Sequence, residues 1–202
     1  MTEMAQNTLT RPELTMPSAE AEAIRAAYAQ ARVILEYGSG GSTVMAAEMP
    51  GKKVFSVESD KDWAKMMRAW FRDNPPAEDT EVDMIWSDIG PTKNWGYPKD
   101  ASEYMRYARY PLEVWDLPEF CQPDVVLIDG RFRPGCAVAT ALRTAKPIPV
   151  YVDDYKGRKA YHRIETYFGA PELIGRMARF DVEPMALPVE DLLNVIEMMI
   201  GP

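Results

Sequence analysis

The chain alternates between short apolar runs and longer stretches in which apolar residues recur at helical spacing. "RVILE" (32–36), "KKVFSVESD" (52–60), "EVDMIWSD" (81–88), "PDVVLIDG" (123–130) and "IPVYVDDY" (148–155) read as five strands, each running into acid. The first is continuous rather than alternating, which predicts a strand buried on both faces. Between them lie helical patterns. "PSAEAEAIRAAYAQA" (17–31) has Ser18 as a candidate N-cap and early glutamates that suit the helix dipole. "STVMAAEM" (42–49) is a short helix. In "DKDWAKMMRAWFRDN" (60–74), Trp63, Met66, Met67, Trp70 and Phe71 repeat at helical spacing and predict a core-packing face, closed by Pro75 and Pro76. "RPGCAVATALRTA" (133–145) places Pro134 near the first turn, and "GRKAYHRIETYFG" (157–169) ends in glycine. "ELIGRMARFDVE" and "LLNVIEMMI" are expected to form two more strands, an antiparallel pair.

Strands alternating with helices predict an α/β fold. The expectation is a Rossmann-like, doubly wound, mostly parallel seven-stranded sheet with an antiparallel C-terminal strand pair and helices on both faces. Residues 1–15 are expected to be a mobile N-terminal tail and residues 16–202 a single domain. One segment fits no layer: residues 90–122 hold many aromatics and separate the third strand from the fourth. A connection of that length in a compact domain is usually a lid or binding segment. A structural arm covering an edge or a dimer contact is the alternative.

Composition narrows the field. The chain has 202 residues and a net charge of −8, with no basic run. That is a poor match to a phosphate backbone, so no nucleic-acid partner is expected. Cys121 and Cys136 have no metal-like spacing and read as thiols in a reducing compartment. No apolar run suits a secretory signal, and none approaches the roughly 20 residues of a membrane span. A cytoplasmic protein with no membrane partner is expected; oligomeric state is left open.

The candidate chemistry sits where strands end. In an open α/β sheet, ligands bind at the carboxyl ends of the strands. Here that rim carries Glu36, Glu58, Asp88, Asp129, Asp153 and Asp154. Some would simply cap the helices that follow. After the first strand comes "EYGSGGST" (36–43). It lacks the third glycine of a nicotinamide fingerprint, since Thr43 stands there, and it lacks the G-K-[ST] ending of a phosphate loop. Glu36 ahead of the glycines would repel a pyrophosphate and suits a ligand carrying positive charge. A tight turn with no ligand is the plain structural alternative.

"LEYGSGGST" resembles the E-x-G-x-G loop of the class I S-adenosylmethionine-dependent methyltransferases. "VFSVESD", "MIWSDIG" and "VVLIDGRF" are similar to their next three strand ends, and the likeness spans roughly residues 30–170. The resemblance implies S-adenosylmethionine as cofactor. Gly38 and Gly40 would adopt positive φ and let the backbone approach it, with Ser39 and Ser42 in the same loop. The amides of Gly40, Gly41 and Ser42 would face the methionine carboxylate, and Glu36 the ammonium. Glu58, followed by Ser59, would accept from both ribose hydroxyls, Asp88 would meet the adenine amino group, and Asp129 would lie at the methyl end.

Methyl transfer relies largely on orientation and desolvation. A base is needed only where the acceptor loses a proton. Asp129 is the best-placed candidate, with Asp154 beside it. His162, the sole histidine, is a further candidate whose ordinary pKa suits a base, or else a structural residue. Asp129 with Asp153 and Asp154 is similar to the magnesium site of catechol-type O-methyltransferases, although Asp154 stands where an asparagine would be and "GRFRPG" departs from the pattern. Helix capping and ion pairs with Arg131 or Arg133 are the alternative to a metal. Those two arginines could instead bind an anionic acceptor, or serve as surface residues at a helix start. The function expected is methyl transfer to a small-molecule acceptor; the alternative is a non-catalytic protein that keeps the fold and the cofactor.

Overall fold

The computed structural model describes residues 10–202. The elements that shape the site are, in order, α1 (Ser18–Gln30), β1 (Val33–Tyr37), α2 (Gly41–Ala47), β2 (Lys53–Glu58), α3 (Lys61–Asp73), β3 (Glu81–Trp86), the ribbon strands β4 (Thr92–Lys93) and β5 (Tyr97–Pro98), α4 (Arg109–Leu112), β6 (Val125–Ile128), α5 (Arg133–Arg143), β7 (Ile148–Val152), α6 (Glu165–Phe168), β8 (Glu172–Ile174), β9 (Met177–Val182) and α7 (Leu192–Ile200). Seven strands form one sheet in the order β3-β2-β1-β6-β7-β9-β8. The first five pair in parallel; β9 runs antiparallel to β7 and β8 antiparallel to β9. This is the expected Rossmann-like α/β sheet.

Side chains alternate across each strand. Leu35, Tyr37, Val126 and Ile128 face a core shared with the 107–120 segment, α5 and α7. Ile34, Val125 and Leu127 face the other layer, where Ile24 and Tyr28 of α1 and Met45 of α2 meet them. The same alternation turns Glu36 toward α1, with consequences for the site.

Several expectations change. "LLNVIEMMI" is a helix, not a strand. Val195, Met198 and Met199 form its buried face, while Leu193 and Ile196 lie outside; apolar residues on both sides give a short helix a strand-like run. Gly135 allows the contact, because a Cβ there would lie 2.5 Å from the Met198 carbonyl oxygen. The antiparallel pair lies wholly within 172–182. It is closed by a two-residue turn with Gly175 at φ 59°.

Ser18 is the first residue of α1 rather than its cap, and Pro17 precedes it. The first nine residues of the expected tail lie outside the described residues. The rest of it packs: Leu14 joins Met16 against the α1 layer, and a Cβ on Gly41 would lie 2.2 Å from the Leu14 amide nitrogen. The 90–122 segment is anchored at its C-terminal half, where Tyr107, Tyr110, Val114 and Trp115 are buried in the main core. Among the described residues, no helix is long and apolar enough to cross a membrane.

Candidate active site

A cavity of about 730 Å³ opens at the carboxyl ends of β1, β2 and β6. The loop after β1 forms its floor. Gly38 has φ 98°, and a Cβ there would lie 2.6 Å from the Gly130 nitrogen. Only glycine tolerates both the conformation and the approach of the two strand ends. Gly40 differs. Its φ of 170° is ordinary extended backbone, and a Cβ on it would meet no protein atom within 4 Å. Of the two glycines expected to take a left-handed positive φ, only Gly38 does. Thr43, the residue that spoiled the nicotinamide fingerprint, takes a hydrogen bond from the Gly40 amide (3.0 Å) and so holds the loop from beneath.

Glu58 ends β2 at the cavity wall. Its Oε1 accepts from the Ser59 (2.7 Å) and Asp60 (2.8 Å) amides, and its Oε2 from the amide (3.2 Å) and hydroxyl (3.1 Å) of Ser39. Burial raises this carboxyl above the ordinary range, and those donors pull it back. No cation pairs with it among the described residues. Ser59 donates to the Gly96 carbonyl (2.9 Å), which fastens the β4–β5 ribbon over the end of β2. Ser42 and Asp129 also line the cavity.

Glu36 does not. It is fully buried, with Tyr28 donating to Oε1 at 2.6 Å and Ser56 to Oε2 at 3.3 Å. Burial raises its carboxyl. It braces the loop from the α1 side. Asp88 also stays outside, where it accepts from Gly90 (3.0 Å) and pairs with Arg106 (3.1 Å).

Beyond Asp129 the rim is crowded with opposite charges. The carboxylates of Asp129, Asp153 and Asp154 approach within 4.8 Å of one another, a spacing a divalent cation could use. Arginines already occupy it. Arg133 lies 3.1 Å from Asp129 and 3.5 Å from Asp154, and also donates to the carbonyls of Asp129, Gly130 and Asp153. Arg176 grips Asp153 with two nitrogens (3.0 and 2.6 Å) and Arg158 holds Asp154 (3.1 Å). A magnesium ion would meet guanidinium groups at each ligand, so these residues do not fit a metal. Asp154 lies outside the cavity, and so does His162, whose ring stacks on Tyr155 with centroids 4.7 Å apart.

Asp129 keeps one face on the cavity, with its side chain 31% exposed. Burial pushes its carboxyl up to about 7; Arg133 opposes the shift, and Asp153 and Asp154 add to it. Its charge can therefore change near neutrality.

No protein-family model matches the chain, and no curated protein matches it. A solved structure does. A methyltransferase-like protein from Silicibacter pomeroyi is 57% identical over 95% of this chain and 99% of its own, with a TM-score of 0.93. The chain belongs to the class I S-adenosylmethionine-dependent methyltransferases. More distant structures share the fold alone. A cofactor-bound protein from MTB is 17% identical with a TM-score of 0.55, covering 87% of this chain and 85% of that one. A 16S rRNA methyltransferase from T. thermophilus, in complex with AdoMet and guanosine, is 15% identical with a TM-score of 0.52, covering 83% and 41%.

Sequence reasoning missed several walls of this cavity. Trp63 was assigned to the core by its spacing with Trp70. It is 40% exposed, lines the cavity and donates from Nε1 to the Ser39 carbonyl (2.9 Å). The available signal was its place in the first turn after the Asp60 cap. Met16 arrives from a segment with no motif, whereas Trp95 comes from the aromatic-rich 90–122 segment expected to serve as a lid or binding segment. Arg131, one of the two arginines singled out, also lines the cavity, whereas Arg133 does not.

Proposed function

We propose that this methyltransferase transfers the methyl group of S-adenosylmethionine to a small-molecule acceptor by in-line displacement in this cavity. One observation carries the reading: the open backbone at Gly40, the cation-free carboxylate of Glu58 and the half-buried Asp129 face a single space at the strand ends. Bound adenosylmethionine supplies an electrophilic methyl group on a sulfonium.

The chain's own residues do the rest. Glu58 offers acceptor-only oxygens, which ribose hydroxyls need, and its partner Ser39 is an exchangeable donor. Trp63, Met66 and Met16 supply apolar wall that excludes water from the nucleophile. Asp129 takes the proton of an oxygen or nitrogen nucleophile, with its ionised form available above about pH 7. The 90–122 segment brings Trp95 and Gly96 into the wall and closes over the acceptor.

Calorimetric titration with S-adenosylmethionine and S-adenosylhomocysteine tests this. Micromolar binding is expected in the wild type and none in Gly40→Val, whose added side chain enters the cavity rather than the protein. Failure of both ligands to bind folded wild-type protein would overturn the cofactor assignment, and tight binding by Gly40→Val would misplace the loop.

A further inference from the structure

Two arginines, two residues apart, have opposite surroundings. Arg133 is saturated by carboxylates and carbonyls. Arg131 is only 7% exposed, yet among the described residues no carboxylate pairs with it. Its Nε is the one fully buried side-chain nitrogen or oxygen among those residues without a hydrogen-bond partner. Its guanidinium carbon sits 3.9 Å from the Tyr97 ring centroid, which holds the fork flat. The Tyr97 hydroxyl in turn receives a hydrogen bond from Arg158 (3.4 Å). Arg131 lines the cavity beside Gly130 and Asp129.

A buried guanidinium without a counter-charge is costly, and evolution of a purely structural position would more simply place an apolar side chain there. Cation–π contact with one tyrosine offsets only part of that cost. The remaining partner must come from what enters the cavity. A planar fork fixed at one face matches an oxyanion with two coplanar or tetrahedral oxygens.

We infer that Arg131 binds an oxyanionic group, a carboxylate or a phosphate, on the methyl acceptor, so that the substrate is a small anionic molecule anchored beside Asp129. The inference rests on the cofactor reading above, because it assigns the rest of the cavity to adenosylmethionine. Anchoring the anion at Arg131 leaves Asp129 to meet the neighbouring nucleophile, and the exposed aromatic Trp95 at the mouth suits an acceptor with a flat apolar body.

Benzoate, phenyl phosphate and neutral benzamide are titrated into the wild type, Arg131→Met and Arg131→Lys, each with and without S-adenosylhomocysteine. The wild type is expected to bind at least one of the anions and not benzamide; carboxylate against phosphate names the source. Arg131→Met is expected to weaken that anion at least tenfold, and Arg131→Lys to retain part of the affinity. S-adenosylhomocysteine should bind all three proteins within twofold. Ligand-free Arg131→Met should melt higher than the wild type by about 2 °C or more, because an uncompensated charge is removed. Equal anion binding in wild type and Arg131→Met would overturn the inference, as would binding of no anion by the wild type. A tenfold loss of S-adenosylhomocysteine affinity in Arg131→Met would assign the arginine to the cofactor's own carboxylate instead. A lower melting temperature in that variant would make it a structural residue. Failure of S-adenosylhomocysteine to bind the wild type would sink the cofactor reading alone, since the anion titrations without it still report on Arg131.

Discussion

The ends of β2 and β7 both carry carboxylates, and the two ends behave differently. Glu58 at β2 is surrounded by amides and hydroxyls and meets no cation. Asp153 and Asp154 after β7 are enclosed by Arg133, Arg158 and Arg176. An acid held by neutral donors can exchange them for a ligand's donors at little cost. An acid held by a guanidinium as buried as that of Arg133 is part of the fold, and breaking the pair leaves a charge stranded. The contrast implies that Arg133 matters most to stability. Arg133→Met should cost about 3–5 kcal/mol, read as a fall in melting temperature of about 10 °C. The loss should shrink at low pH as the stranded carboxylates protonate. A variant that melts with the wild type would show that the cluster is not a structural unit.

The β2 end should break in the opposite sense. Glu58→Ala removes the charged acceptor expected to face two hydroxyl donors. Hydrogen bonds to charged groups are worth about 1.5–3 kcal/mol, so S-adenosylmethionine affinity should fall about 10- to 100-fold. Calorimetry of a variant with native circular dichroism measures it. Unchanged affinity would remove Glu58 from the site.

The same contrast marks what the sequence could reveal. Strand order, the glycine turn and the acid at each strand end were legible, because they depend on local pattern and on rules of parallel sheets. The orientation of Glu36 was not, although its position was: period-2 alternation puts it on the face of Ile34, and that face was known only once α1 was seen to cover it. Arg131 and Arg133 read alike in "GRFRPG". The positive φ of Phe132 (52°) separates them in space, and no local propensity announces it. Trp63 and the final helix failed for a common reason. Apolar residues occur on helix faces that the fold leaves uncovered, and spacing alone does not say which faces those are.

Asp129 stands between the two regions, paired with Arg133 yet open to the cavity. Its carboxyl is raised from 3.8 to about 7, so the folded protein holds this proton more tightly than the unfolded chain. Stability therefore falls as pH rises between those values and stays lower above them. Asp129→Asn lacks that loss. The variant should gain on the wild type from pH 4 to pH 8 in urea unfolding, and methyl transfer that needs a base should lose its rise through neutrality. A stability difference that does not change with pH would place the charge balance elsewhere.

The smallest effect expected is that of magnesium. The cluster of Asp129, Asp153 and Asp154 has the spacing of a cation site, so spacing alone would predict that the metal tightens ligand binding. Its occupants argue otherwise. Arg176 takes both oxygens of Asp153, and Arg133 spans Asp129 and Asp154. A divalent ion would have to displace guanidinium groups that also hold backbone carbonyls, and would gain no ligand that is not already neutralised. Adding magnesium, or a chelator, should therefore leave S-adenosylmethionine affinity and melting temperature within error of the untreated protein. A metal-dependent rise in either would mean that the arginines yield, and the difference between the two strand ends would be one of occupancy rather than of fold.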